Sequence, residues 1–448
     1  MTGKTNVIVF FTDQQRWDTL GIHGNPLGLT PNLDYAAQNG IDFHRAFTNQ
    51  PVCGPARALL QTGIYPTKTG CWRNAKPLTR EFKTLADYFN ENGYETGYIG
   101  KWHLGTGQGH VSEEYRGGYK HWLAANAVEG VSEQYKAILY DNDGNEVFLP
   151  GYRSDAYADA GIRYINEHKD KPFFLFMSFL EPHFQNHLDN YPAPDGHTKP
   201  YIDKYTPPDL EKLVGSAPAH LAGYYGMVKR LDEAYGRILD ALKSLNLTEN
   251  TLVLFTSDHG CHFKTRNREY KRTGHESSIR IPAVLYGGKR NKGIKIQNLV
   301  SLIDLPPTLL DMAGIPVPEC MQGKSLKPLI DGNDAVWEDE VYVQTTESGT
   351  GRALRTRRWK YIVHSTEERE DSIDNGCRDE YHETEFYDLE ADPYELTNLI
   401  GMDVYDGVIG QMRRRLVERA ALAGEPPIVN IVEAQRGQSG QRRISLVG

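Results

Sequence analysis

The sequence predicts an α/β protein: a mostly parallel sheet covered by helices on both faces, followed by a smaller C-terminal α+β unit. Three observations predict it. Short apolar runs rich in β-branched and aromatic residues alternate with longer segments of helical period, the rhythm of parallel strands joined by crossover helices. A stretch with three prolines and two glycines at 314–328 then punctuates the chain. Finally, 448 residues exceed what one core usually serves, about 250–300 residues. Two units are expected, a larger one at 1–335 and an α+β one at 336–448.

The central strands are predicted at Asn6–Thr12, 96–100, 172–180, Thr251–Ser257 and 281–286. Amphipathic helices are predicted at 84–92, 154–168 and 220–245, the last from apolar positions Leu221, Tyr225, Val228, Leu231, Tyr235, Ile238 and Leu242. The segment 186–218 has Pro, Asp, His and Tyr without periodicity and reads as a long surface loop near the site. A helix at 303–313 closes the first unit. Strands at 340–346, 353–364 and 385–389 and a helix at 408–422 make the second.

Apolar residues at 39% and charged residues at 24% place the chain among globular proteins and away from disorder. The net charge of −9 and the absence of a basic block exclude the electrostatic footprint of a nucleic-acid binder, so an anionic substrate must be gathered locally. No apolar run reaches the roughly 18–20 residues of a membrane span. The first strand begins after five residues, which leaves no room for a leader. The chain as given is therefore expected to be cytoplasmic, or periplasmic or secreted if a signal peptide was removed. Cys53, Cys71, Cys261, Cys320 and Cys377 are scattered and odd in number, which argues against a disulfide framework or a zinc site.

In open parallel sheets ligands bind beyond the carboxyl ends of strands, so polar residues just after apolar runs carry most weight. Four strands end that way: Asp13 and Gln14 follow NVIVFFT, Lys101 and His103 follow TGYIG, Glu181 and His183 follow FFLFMSFL, and Asp258 and His259 follow TLVLFTS. Any one of these could be a helix cap, but four recurrences point to a site. Asp13, Gln14 and Asp258 offer hard oxygen donors suited to Ca²⁺ or Mg²⁺, and His259 adds a nitrogen that would admit Mn²⁺. Gln14 and His259 also read as ordinary hydrogen-bonding loop residues.

The segment Pro51-Val52-Cys53-Gly54-Pro55-Ala56-Arg57 sets a cysteine at the start of a helix, with Arg57 one turn on. The helix N-terminus and the arginine favour a thiolate, although a lone cysteine is also compatible with an ordinary thiol.

CGPAR resembles the Cys-x-Pro-x-Arg signature of the type I, formylglycine-dependent sulfatases. The resemblance extends to TDQQRWDTLG, PNLDYAAQNGIDFHRAFTNQPVCGPARALLQTG, GYIGKWHLG, EPH, TSDHG, KRTGHESSIRIP and YDLEADPYELTNL, from Asn6 to Leu399. It implies an alkaline-phosphatase-like fold, with a large mixed, mostly parallel sheet between helices and a short antiparallel sheet in the C-terminal unit. It further implies that Cys53 is oxidised to formylglycine by a maturation enzyme, and that the hydrated aldehyde attacks sulfur in a sulfate monoester. Asp13, Gln14, Asp258, His259 and the modified Cys53 would hold the cation, with Ca²⁺ expected first and Mg²⁺ or Mn²⁺ as alternatives. Arg57 and Lys101 would hold the nucleophile, and His103 would take a hydroxyl proton. His183 and Lys271 would meet the sulfate and leaving oxygen, His183 as general acid.

This chain departs from many relatives in having Asp13-Gln14 and Asp258-His259 at the metal dyads and Ala56 in the signature. The Gln and His versions resemble choline sulfatases, phosphonate monoester hydrolases and some carbohydrate sulfatases. The expected substrate is a sulfated mono- or oligosaccharide. The alternatives are a phosphonate or phosphate ester, a choline-sulfatase-like activity, a non-catalytic sugar-binding relative, or a thiol role for Cys53. Trp72, Arg73, Trp102, His110, His187, His262, Arg266 and His275, beside the motifs, form a pool from which pocket residues for a sulfated ring are expected. Assembly state is not readable from the sequence.

Overall fold

A computed structural model describes residues 3–290, 293–335, 337–366, 376–437 and 440. One sheet holds β1 Asn6–Thr12, β2 Ile41–Phe47, β3 Glu95–Lys101, β4 His121–Ala125, β5 Ala137–Tyr140, β6 Glu146–Leu149, β7 Phe173–Ser178, β8 Thr251–Ser257, β9 Arg280–Ile281, β10 Ala283–Gly287 and β11 Ile294–Ser301. Its order is β11-β2-β10-β8-β1-β7-β3-β4-β5-β6, with β9 paired to the end of β2. The centre, β8-β1-β7-β3-β4, is parallel. β10 runs antiparallel to both β8 and β2, so the expected strand at 281–286 enters the sheet reversed.

β1 is buried along its whole length, which is why its sequence is a continuous apolar run rather than an alternation. Val7, Val9 and Phe11 point into one core with Leu59, Phe89 and Leu309. Ile8 and Phe10 point into the other with Ala36, Tyr157, Tyr235 and Ile238. The helices that supply these residues, Cys53–Thr62, Leu85–Glu91 and Leu305–Met312 on one face and Pro31–Asn39, Arg153–His168 and Ala217–Ser244 on the other, make three layers. Each fully buried Leu, Ile or Phe contributes roughly 1.5–3 kcal/mol.

The second sheet follows the order β12 Glu340–Thr345, β13 Gly351–Thr356, β14 Trp359–His364, β15 Glu380–Asp388 and β16 Asn430–Val432, antiparallel except for the last pair. Helix Asp406–Leu422 covers it through Ile409, Met412, Leu416 and Ala420. The single strand expected at 353–364 is a hairpin folded at Arg357-Arg358, a turn with no glycine or asparagine to announce it. Of the expected C-terminal unit, residues 336, 367–375, 438–439 and 441–448 lie outside the described residues.

The two sheets share a core of Phe47, Ile279 and Leu299 with Val341, Val343 and Ile362. A buried ion pair crosses the same boundary: Lys360 Nζ meets Glu276 at 2.9 Å, and Glu395 of its own unit at 2.7 Å holds it there. Gln344 N–H donates to the Asn49 carbonyl at 2.7 Å, four residues before Cys53.

The sheet also fixes a glycine next to the site. Gly100 has φ +108°, and a Cβ there would lie 2.0 Å from the Ser178 carbonyl oxygen of β7. Only glycine fits, and the close approach sets Lys101 beside β7 and β1. Gly100→Ala is expected to lower stability by more than about 1 kcal/mol and to reduce activity through displacement of Lys101, measured by urea titration and initial rates.

Candidate active site and metal centre

Because β8, β1, β7 and β3 are neighbours, the four polar strand ends meet on one side of the sheet. Cys53 arrives from β2 through residues 48–52 and opens helix Cys53–Thr62. That helix has no side-chain cap from Val52; instead Gly54 N–H donates to Asn74 Oδ1 at 2.9 Å, so a distant loop caps the helix start.

The Cys53 thiol is 1% exposed. Lys271 Nζ lies 2.7 Å from its sulfur, His259 Nε2 3.4 Å and Asp13 Oδ1 3.5 Å. His103 and His183 also lie close enough to influence its ionisation. Lys101 Nζ and Arg57 Nη2 sit on Asp13 Oδ2 at 2.9 and 3.0 Å. Arg57 Nη1 donates to Ser178 Oγ at 2.5 Å and to the Lys101 carbonyl at 2.9 Å, which fixes the guanidinium between β1 and β3. His183 Nδ1 is 2.6 Å from the Phe184 carbonyl, and Lys271 Nζ is 3.3 Å from His183 Nε2.

Burial opposes ionisation of the Cys53 thiol, but Lys271, Lys101 and His259 outweigh it and hold the thiol well below its ordinary range. Burial also opposes ionisation of Asp13, and the cations Lys101, His183 and Lys271 prevail, so it too is pulled down. Asp258 goes the other way: burial and the charge on Asp13 raise it to about 7. Beside a second buried carboxylate and the Cys53 sulfur, Asp258 therefore ionises with difficulty, and a further positive charge there would favour its carboxylate.

The donor set asks for that charge. One donor atom each from Asp13, Cys53, Asp258 and His259 lie within 4.8 Å of one another. Gln14, with φ +67°, donates its amide nitrogen to Tyr191 Oη at 3.0 Å and Cys261 Sγ at 3.3 Å. Its Oε1 and the Asp258 Oδ2 are buried without a hydrogen-bond partner. Hard oxygens left bare beside an imidazole fit a divalent cation.

The structure thus gathers Asp13, Gln14, Cys53, Arg57, Lys101, His103, His183, Asp258, His259 and Lys271, all named from sequence. The expected pocket residues fare differently. Trp102 is fully buried in a cluster with Tyr98, Tyr119 and Trp122, so it is core and not pocket. His262 is fully buried, with Nε2 3.1 Å from the Lys271 carbonyl; it braces the turn that carries Lys271. Arg266 donates to the carbonyls of Glu395 and Tyr394, and His275 meets Glu385 at 2.8 Å; both tie the two units together, with His275 buried and Arg266 lining a small cavity beside Arg16 and Tyr394. His110 binds the Arg116 guanidinium and lies apart from the cluster. Trp72 is 2% exposed beneath the Arg73 guanidinium, and Arg73, one residue before the capping Asn74, is half-buried. His187 is exposed on the 186–218 loop, whose Tyr191 reaches Gln14.

Sequence reasoning missed Glu129, which pairs with Lys101 at 3.0 Å from the segment after β4. Recognition of HWLAA as a further strand would have flagged it. Tyr191, Cys261 and Asn74 carry no motif of their own.

A buried nucleophile ringed by lysines, an arginine and histidines beside a carboxylate cluster is the arrangement of a hydrolase for anionic esters. The comparisons agree. A family model described as Sulfatase matches residues 5–315, and one described as N-sulphoglucosamine sulphohydrolase, C-terminal, matches 268–421. The ulvan-active sulfatase of Formosa agariphila is 31% identical, over 94% of this chain and 82% of its own. The N-acetylglucosamine-6-O-sulfatase of Bacteroides thetaiotaomicron is 25% identical, over 90% and 84%. The crystal structure of yidJ from Bacteroides fragilis superimposes with a TM-score of 0.82 at 27% identity, covering 95% of this chain and 97% of that one. The chain belongs to the sulfatase family, type I, of the alkaline-phosphatase-like superfamily, and is a sulfuric ester hydrolase.

Two outcomes follow from the donor geometry. Tyr191→Phe, which frees the Gln14 amide, is expected to weaken divalent-cation binding about tenfold by calorimetry; an unchanged Kd would show that Tyr191 does not orient Gln14. Raised to about 7 from an unfolded value near 3.8, Asp258 contributes stability to the metal-free protein at low pH and loses it as pH rises through about 7. The gain in Tm on adding Ca²⁺ is therefore expected to grow between about pH 5 and 8, and to shrink in Asp258→Asn.

Proposed function

We propose that the chain hydrolyses sulfate monoesters of a sulfated mono- or oligosaccharide, with formylglycine made from Cys53 as nucleophile and a dication, Ca²⁺ first, at Asp13, Gln14, Asp258 and His259. The observation that carries the reading is the position of the Cys53 sulfur between Lys271 at 2.7 Å and His259 at 3.4 Å, with Asp13 at 3.5 Å. It supports one reaction centre shared by nucleophile, cation ligands and cationic side chains. Relatives named for ulvan and for N-acetylglucosamine-6-O-sulfate support a saccharide substrate.

When bound, the dication supplies Lewis-acid charge to the sulfuryl oxygens. Formylglycine supplies a hydrated aldehyde with two hydroxyls, one to attack sulfur and one whose deprotonation lets sulfate go. Within the chain, Arg57 and Lys101 keep Asp13 ionised and in place, and Glu129 steadies Lys101. His103 takes the proton of the second hydroxyl. Lys271 neutralises charge that develops on the sulfuryl oxygens. His183, its Nδ1 turned to the Phe184 carbonyl, presents Nε2 to the centre and, when protonated there, gives that proton to the leaving alcohol while Lys271 keeps its charge.

Co-expression with a formylglycine-generating enzyme is expected to lower the mass of the chain by about 18 Da, as thiol becomes aldehyde, and Cys53→Ala is expected to abolish turnover. Full activity in Cys53→Ala would remove the nucleophile from the reading. An aryl phosphonate preferred over the aryl sulfate by a hundredfold, about 2.7 kcal/mol, would move the assignment to phosphonate esters. A panel of sulfated monosaccharides identifies the sugar and the position.

A further inference from the structure

Besides the Cys53 cluster, one other group of metal-ligating side chains converges within 4.8 Å among the described residues: His23, Asp42 and His44. Asp42 and His44 stand two apart on β2 and so project from the same face of the sheet. His23 ends the turn Gly21–His23 beside that face. The group shares no residue with the hydrolytic centre.

Asp42 Oδ1 is 2.9 Å from His23 Nε2, and Asp42 Oδ2 is 3.2 Å from His44 Nδ1. The two rings meet edge to face, with centroids 4.6 Å apart. On the far side of His23, Nδ1 lies 3.0 Å from the Trp17 carbonyl. A carbonyl only accepts, so Nδ1 carries a proton. A neutral imidazole has one N–H, which leaves Nε2 a bare lone pair facing a carboxylate oxygen. That arrangement repels unless a positive charge lies between them, either a second proton or a metal ion. An imidazole whose Nδ1–H is anchored on a backbone carbonyl while Nε2 faces a carboxylate and another imidazole is how metal-ligating histidines are held.

We propose that His23, Asp42 and His44 form a second metal site, separate from the hydrolytic centre, for a borderline dication of the Zn²⁺ or Co²⁺ type. Two imidazole nitrogens and one carboxylate oxygen select such ions over Ca²⁺ and Mg²⁺. Tetrahedral bonds of about 2.0 Å place ligand atoms about 3.3 Å apart, a few tenths of an ångström from the spacings at Asp42. The side chains of His23 and Asp42 are 0% and 1% exposed and that of His44 19%, so the ion enters and keeps its open position on the His44 side. The Arg280 guanidinium beside it is held on the Trp17 ring and the His44 carbonyl. Bound there, the ion would clip the 21–23 turn to β2.

The test uses the full chain with the hydrolytic centre saturated by excess Ca²⁺. Zinc retained after gel filtration is expected at about one equivalent per chain. Co²⁺ in its place is expected to give the visible absorption of a four-coordinate site. His44→Asn and His23→Asn should each lose that equivalent, while Asp258→Asn keeps it. Should His23→Asn fail to fold, His44→Asn at the exposed edge and the wild-type titration still decide. No retained zinc in the wild type, or zinc lost in Asp258→Asn but kept in His44→Asn, overturns the proposal and leaves His23 as an imidazolium paired with Asp42.

Discussion

Everything in the catalytic half of this molecule answers to one electrostatic problem: Asp13, Asp258 and the Cys53 sulfur are buried within a few ångströms of one another. Isolated anions in such a place cost several kcal/mol each. Arg57, Lys101 and Lys271 supply part of the compensation and are themselves buried, which only a dense set of fixed partners makes tolerable. The shortfall shows in the opposed shifts of the two aspartates, one held down by lysines and the other pushed up by its neighbour. The proposed dication, with Gln14 Oε1 and Asp258 Oδ2 buried and without hydrogen-bond partners beside it, would close it.

The sheet makes this arrangement rigid. Adjacent parallel strands deliver Asp258, Asp13, His183 and Lys101 from separate parts of the chain with spacing set by backbone hydrogen bonds. The smaller sheet serves the same end indirectly. Its Glu347 accepts from Asn74 N–H, whose side chain caps the Cys53 helix, and pairs with Arg272 at 2.7 Å, next to Lys271. One carboxylate from the C-terminal unit therefore braces both the nucleophile segment and the lysine turn.

Strands whose sequences are unbroken apolar runs, β1 and β8, were readable to the residue, because burial on both faces leaves no other reading. The helix at 217–244 was legible from its apolar stripe. β2 was not, because Asp42, His44 and Arg45 interrupt its apolar residues, and neither were the edge strands β6 and β11, which are half-exposed and carry polar residues that blur the signal. The same logic separates the site. Residues at strand tips and in the signature were found; Tyr191, Cys261 and Glu129 act through loops whose contacts span 28 to 247 positions, which no local pattern encodes. The errors over Trp102, His262, Arg266 and His275 share a cause. Proximity to a motif in sequence says nothing about which side of the backbone faces the cavity.

The near-complete enclosure of Cys53 bears on the order of events in its biosynthesis. A side chain 1% exposed at the head of a fully buried helix cannot be grasped by another enzyme once the sheet has closed around it. The proposed oxidation therefore belongs to the nascent or unfolded polypeptide, and folding becomes the step that seals a finished aldehyde inside. Chains that fold before they are modified would enclose a thiol where the proposed nucleophile belongs.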